Sequence, residues 1–238
     1  MSLPCQNPGS NMVQDITFQN VRYCYGEVCA IIGASFSLPE KQLTVLVGPN
    51  GGGKSTLIKL MAGLMKPDDG SIDIRAGVEI GYVPQSNSFD ASFPLTVRDL
   101  VLQGTLPNAI KPFQRYSPSQ REKAALAIHR VGLEGLELRG LGQLSGGQLK
   151  RAVIGRLLAS DTNMIVLDEP DASLDIAAAK DLYSMLAKLK SEKTIVLASH
   201  NLDVALDLAD HSIYVNRTVT AFPSAQTLKE TLKGGIQL

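Results

Sequence analysis

The chain reads as an α/β protein built on a parallel sheet, and two observations predict it. Leu43-Thr44-Val45-Leu46-Val47, Met164-Ile165-Val166-Leu167 and Ile195-Val196-Leu197-Ala198 are short apolar runs rich in β-branched residues, as in strands buried on both faces. Around them lie stretches with helical spacing, such as Leu57, Ile58, Leu60, Met61 and Leu64, or Asp175 to Leu189. Strands that alternate with helices are joined by crossovers, and crossovers make parallel neighbours. At 238 residues the chain can bury a full core as one domain with a subdomain.

Taken in order, Asp15 to Phe18, Val21 to Tyr25, Ser71 to Arg75 and Val78 to Val83 read as antiparallel strands. From about Pro84 to Gly142 the character changes. Phe89, Phe93, Pro94, Pro107, Pro112 and Pro118 interrupt helical patterns, and Ser117-Pro118-Ser119-Gln120 makes a helix start with a cap and proline at the first position. Ser224 to Lys233 reads as a short helix before the tail, and no internal repeat is visible.

Between the strand 43–47 and the helix that follows lies Gly48-Pro49-Asn50-Gly51-Gly52-Gly53-Lys54-Ser55-Thr56. The pattern G-x-x-x-x-G-K-[ST] is a phosphate cradle, a P-loop. Its bare backbone N–H groups point inward, and a β-carbon would obstruct close approach. The helix N-terminus adds partial positive charge. Lys54 would reach the β- and γ-phosphates of a nucleotide, and the Ser55 hydroxyl would ligate Mg²⁺.

A second string, Leu144-Ser145-Gly146-Gly147-Gln148, allows two readings. Ser145 with Gln148 fits a helix capping box before Leu149, Ala152, Val153, Ile154, Leu157 and Leu158. A cap does not account for two glycines in the first turn, where each is a poor helix former. Amides and a hydroxyl at a helix start also suit an anion arriving from outside.

Composition narrows the remaining choices. Lys+Arg and Asp+Glu both number 23, so no basic field draws the chain to nucleic acid. No apolar run approaches the ~18 residues that span a bilayer, so membrane association would come through a partner. The first residues lack the apolar core of a signal peptide. They are expected to be a tail (1–12), partly of artificial origin, ahead of a single domain over 13–238. Cys5, Cys24 and Cys29 show no C-x-x-C spacing and lie far in sequence from the histidines, so they read as free thiols of a reducing cytosol.

The two strings together resemble the nucleotide-binding subunits of ABC (ATP-binding cassette) transporters, from about Asp15 to Phe222. The resemblance implies a P-loop NTPase, RecA-like core with an N-terminal antiparallel β-subdomain and an α-helical subdomain inserted over about 84–142. It implies ATP and Mg²⁺ as ligands. Asp168, ending an apolar strand, would hold Mg²⁺ through water as a Walker B aspartate, and Glu169 would be the general base for the attacking water. Gln85 in Val83-Pro84-Gln85 matches the Q-loop, sensing Mg²⁺ and the γ-phosphate. Asp175 in Ser173-Leu174-Asp175 looks like the D-loop, and His200 sits at the switch-histidine position. Tyr25 matches the aromatic residue that stacks on adenine, with Tyr23 as the alternative. Ser145, Gly146, Gly147 and Gln148 would complete the site of a second copy, with Asp175 contacting that copy, in a head-to-tail dimer.

The resemblance further implies integral-membrane permease subunits, a solute-binding protein outside the cell, and a place on the cytoplasmic face of the membrane. Asp73 to Gln85 and Phe93 to Gly104 look most like the ATPases of zinc and manganese importers; iron-chelate and cobalamin importers share the second segment. Some positions depart from the pattern: Lys150 stands where glutamine is frequent, Asn201 replaces a frequent aspartate, and Asn216 to Phe222 lacks the usual glycine turn. A soluble ABC ATPase of iron–sulfur assembly or repair, and a scaffold that binds ATP without hydrolysing it, are the alternatives.

Overall fold

The computed structural model describes residues 12–85, 94–107, 115–172, 174–199 and 202–233. Residues 1–11 of the expected tail, Phe89, Phe93, Pro112, Ser173, His200 and Asn201 lie outside the described residues. The chain divides into two compact units, one from Met1–Pro84, Asn163–Ala172 and Leu186–Leu238, the other from Gln85–Thr162 and Ser173–Met185.

The first unit holds two sheets. Strands β1 (Gln14–Tyr25), β2 (Val28–Pro39) and β4 (Asp69–Ile74) form an antiparallel sheet in the order β2-β1-β4. Strand β1 joins the two segments expected as separate strands. The irregularity between them is a bulge, where register slips between Phe18 and Val21 and Asn20 takes a φ of 49°. Strands β3 (Leu43–Val47), β5 (Ile80–Val83), β6 (Met164–Asp168), β7 (Thr194–Ala198), β8 (His211–Asn216) and β9 (Thr218–Phe222) form the main sheet, in the order β5-β6-β7-β3-β8-β9. Every pairing in it is parallel except β8 with β9.

This corrects the expectation for residues 78–83. Strand β5 pairs parallel to β6, Ile80 opposite Met164, and does not join the antiparallel sheet. Four residues of alternating burial fit either sheet, and only the partner decides. Strands β3, β6 and β7 are buried at every position, as continuous apolar runs require. Helix α1 (Lys54–Met61) lies in the core shared by the two sheets. Its Leu57, Ile58, Leu60 and Met61 pack in one cluster with Ile16, Phe18 and Phe36 of the small sheet and Val166, Val196 and Ile213 of the large one.

Cys24 and Cys29 are joined by a disulfide, which corrects the free-thiol expectation. They face each other across the β1–β2 hairpin, one pair before Tyr25 and Val28. Linear spacing hid this, because proximity comes from hairpin register. Cys5 lies outside the described residues.

The second unit is helical: α2 (Val97–Gln103), α3 (Pro118–Arg130), α4 (Gly146–Ala159) and the first turns of α5 (Ile176–Leu189). Ser117 and Gln120 form a capping box at α3 with Pro118 at its first position. Val97, Leu100, Val101, Ala127, Ile128 and Val153 are buried in this unit. Helix α6 (Leu202–Leu208) lies between β7 and β8, and α7 (Ala225–Lys233) follows β9. Among the described residues no helix is long and apolar enough to cross a membrane.

Candidate functional site

The first unit brings Gly48 to Thr56, Asp168, Glu169 and Tyr25 together. The glycine-rich loop leaves β3 and enters α1, and its glycines answer to the protein's own backbone as well as to any ligand. A Cβ on Gly48 would overlap the Val215 carbonyl of β8, and one on Gly52 would stand 2.7 Å from the same oxygen. Gly53 has a φ of 105° and lies against Ala30 of β2. The turn after β8 is bonded to this loop, the Arg217 N–H donating to the Gly52 carbonyl at 2.8 Å. Pro49 is tied in as well, its carbonyl accepting from the Gly52 N–H at 3.1 Å. Asn50 and Gly51 form the open rim, with no atom within 4 Å of a Cβ placed on Gly51.

Lys54 is only 5% exposed, and its ammonium donates to the Gly48 and Pro49 carbonyls at 3.0 and 3.1 Å. Burial holds it below the ordinary lysine value, against the upward pull of Glu169 and Asp168. The Ser55 hydroxyl donates to the Asp168 carboxylate at 3.0 Å. Burial pushes Asp168 above the usual carboxylate range; the Ser55 bond opposes that shift and the Glu169 charge adds to it. A divalent cation would reverse this balance by stabilising the ionised carboxylate.

The donor set suits Mg²⁺: a hydroxyl and a carboxylate oxygen, both hard ligands, leaving positions for phosphate oxygens and water. Among the described residues no three acidic, histidine or cysteine side chains converge on a metal position. Any ion here would therefore depend on the nucleotide for its remaining ligands.

Glu169 is 8% exposed and has a φ of 48°, a left-handed conformation uncommon outside glycine. Its N–H donates to the Ala198 carbonyl at the end of β7, and its own carbonyl accepts from Ala172. The turn reverses direction at once, so Glu169 leaves the strand on a fixed path. Sequence reasoning missed Ser199 and Asp171, whose side chains bond at 3.0 Å and join the end of β7 to the turn after Glu169. A serine directly after an apolar run was the available signal.

Tyr25 is half-exposed at the hairpin end, its hydroxyl 3.4 Å from the Thr56 hydroxyl and 3.7 Å from Met65 Sδ. Tyr23 packs against the core, edge-to-face with Tyr25 at 5.0 Å.

Gln85, Ser145, Gly146, Gly147, Gln148 and Asp175 belong to the second unit. Ser145 caps α4: its hydroxyl accepts from the Gln148 N–H at 3.3 Å, and the Gln148 side chain accepts from the Ser145 N–H at 3.0 Å. The glycine pair also has a packing reason, since a Cβ on Gly147 would lie 3.2 Å from Ala178 and one on Gly146 3.4 Å from Leu174. Asp175 accepts from the Ala178 N–H at 2.7 Å and so caps the start of α5. Lys150 donates to the Gln85 carbonyl at 2.8 Å.

The chain is similar to known proteins over most of its length. The family described as ABC transporter matches residues 31–172. A zinc uptake system ATP-binding protein of Listeria monocytogenes is 34% identical, covering 93% of this chain and 90% of its own. A manganese transport system ATP-binding protein of the same organism is 36% identical, covering 89% and 91%. A bacterial ABC transporter cassette solved as a dimer superposes with a TM-score of 0.69 at 26% identity, covering 86% of this chain and 96% of its own. The chain belongs to the ABC transporter family, as one of its ATP-binding, ATP-hydrolysing subunits.

Proposed function

We propose that the chain powers an importer of a metal ion, zinc or manganese, or of a metal chelate, by closing head to tail with a second copy around ATP. The observation that carries the nucleotide chemistry is the bond between Ser55 and Asp168, two hard oxygens at the P-loop mouth, beside a lysine bonded to loop carbonyls. Mg²⁺ held there by Ser55 and, through water, by Asp168 would neutralise charge on the β- and γ-phosphates, and Gln85 keeps its role toward the metal by resemblance alone.

The other work falls to side chains of the protein. Lys54 exchanges the Gly48 and Pro49 carbonyls for phosphate oxygens, so its charge meets the charge that develops in transfer. Glu169 accepts a proton from water as the water oxygen bonds to the γ-phosphorus. The bond from that phosphorus to the β–γ bridging oxygen breaks, leaving ADP and phosphate. Tyr25 stacks on adenine; its exposure supports it over Tyr23, which the core occupies. His200 keeps its role by resemblance alone.

The lid of each site comes from the other copy. Ser145 and Gly146 are exposed at the start of α4, which supports contact with a partner's γ-phosphate, and Gly147, Gln148 and Asp175 flank them. Hydrolysis removes those shared contacts, and the copies part. Membrane permease subunits on the cytoplasmic side would receive this motion near Gln85, with a solute-binding protein delivering cargo outside. The metal cargo rests on the relatives' zinc and manganese systems.

Phosphate release tests the chemistry. Glu169→Gln is expected to lower turnover about a hundredfold or more while ATP binding persists. Turnover at the wild-type rate would remove Glu169 from the mechanism.

A further inference from the structure

We propose that Lys150 is a positioning residue that straps the Q-loop to the helix capped by Ser145, so that the two move as one piece. The inference rests on the ATPase reading above. Lys150 lies in the second turn of α4, is 7% exposed, and its ammonium donates to the main-chain carbonyl of Gln85 at 2.8 Å. A lysine charge is kept out of water only when hydrogen-bonded, and a bond from an ammonium is stronger than one between neutral groups.

The anchored end is rigid. Ala152, Val153, Ile154 and Leu157 of α4 are buried, and Gly155 packs against Val101 and Val131. At the held end, Gln85 is exposed at a bend. The strap therefore fixes the backbone from which the Gln85 side chain projects. Glutamine at position 150 would be one bond shorter and neutral, and so a weaker link than the ammonium. Lys150 touches no reacting atom. Its effect passes through Gln85, and it sets that residue's position whenever Ser145 docks on a partner.

A double-mutant cycle separates this role from general stability. Phosphate release by the purified chain at saturating Mg²⁺–ATP gives kcat, and an ATP titration gives KM. Lys150→Met is expected to lower kcat about tenfold, the loss of one charge-assisted hydrogen bond, with KM within about twofold of wild type. Lys150→Gln, a shorter neutral donor, should lose about threefold. Both losses should vanish in a Gln85→Ala background, where nothing remains to be positioned. Should Lys150→Met lack the wild-type melting profile, the Lys150→Gln cycle alone decides. Losses that multiply in the double variants would overturn the assignment, as would wild-type kcat in Lys150→Gln and Lys150→Met. A wild-type chain that releases no phosphate would instead overturn the ATPase reading beneath it.

Discussion

Replacing Gly53 by alanine puts a Cβ 2.5 Å from the Ala30 carbonyl and 2.9 Å from Ile31 Cδ1. Neither neighbour yields easily, since Ala30 is held in strand β2 and Ile31 is fully buried. The backbone adds a second penalty, because a φ of 105° is one that L side chains rarely adopt. Left-handed strain costs about 1–2 kcal/mol, and crowding a packed core about 1–3 kcal/mol. Gly53→Ala should therefore lose roughly 2–5 kcal/mol, a large share of the ~5–15 kcal/mol that holds a domain folded. Gly51 is the control, with a φ of 74° and no atom within 4 Å of its Cβ. Gly51→Ala should lose only the strain, about 1–2 kcal/mol. Urea unfolding without nucleotide reads the difference as a shift of midpoint at constant slope. If both variants unfold like wild type and lose only ATP affinity, the glycines serve the ligand alone and the packing argument is wrong.

Two further outcomes follow from the same geometry. Lys54→Ala and Ser145→Arg chains should each be inactive alone, yet a mixture should recover about a quarter of wild-type activity, because half the dimers keep one intact composite site; activity no higher than the parents would contradict sharing between copies. The Cys24–Cys29 bridge closes a separation of five residues, so a dithiol reductant, or Cys24→Ser with Cys29→Ser, should lower stability by about 2 kcal/mol. An unchanged unfolding midpoint in both cases would show that hairpin pairing alone holds Tyr25 in place.

Much of this molecule was readable because its signals are local. Leu43 to Val47 and Met164 to Asp168 announce buried strands by composition, and Ser117 with Gln120 announces a helix start by spacing. The strand β2 carried no such signal: its central Ile31-Ile32-Gly33-Ala34 breaks alternation, and the pairing with β1 supplies what periodicity does not. The direction of β5, the facing of Cys24 and Cys29, and the bond between Ser199 and Asp171 likewise depend on residues brought together from afar.

The sequence by itself determined the chemistry on offer: a lysine, hydroxyls and carboxylates at spacings that place them at strand ends and helix starts. That information survives in one dimension because each motif is a run of neighbours whose backbone geometry is set within a few residues. Tertiary structure alone decided which of these groups meet. Ser55 and Asp168 stand 113 residues apart in sequence and 3.0 Å apart in space, because β6 is brought into the same sheet as β3 through β7. Lys150 finds Gln85 across 65 residues for a like reason: a buried ammonium must have an acceptor, and only the packed fold determines which carbonyl is within reach.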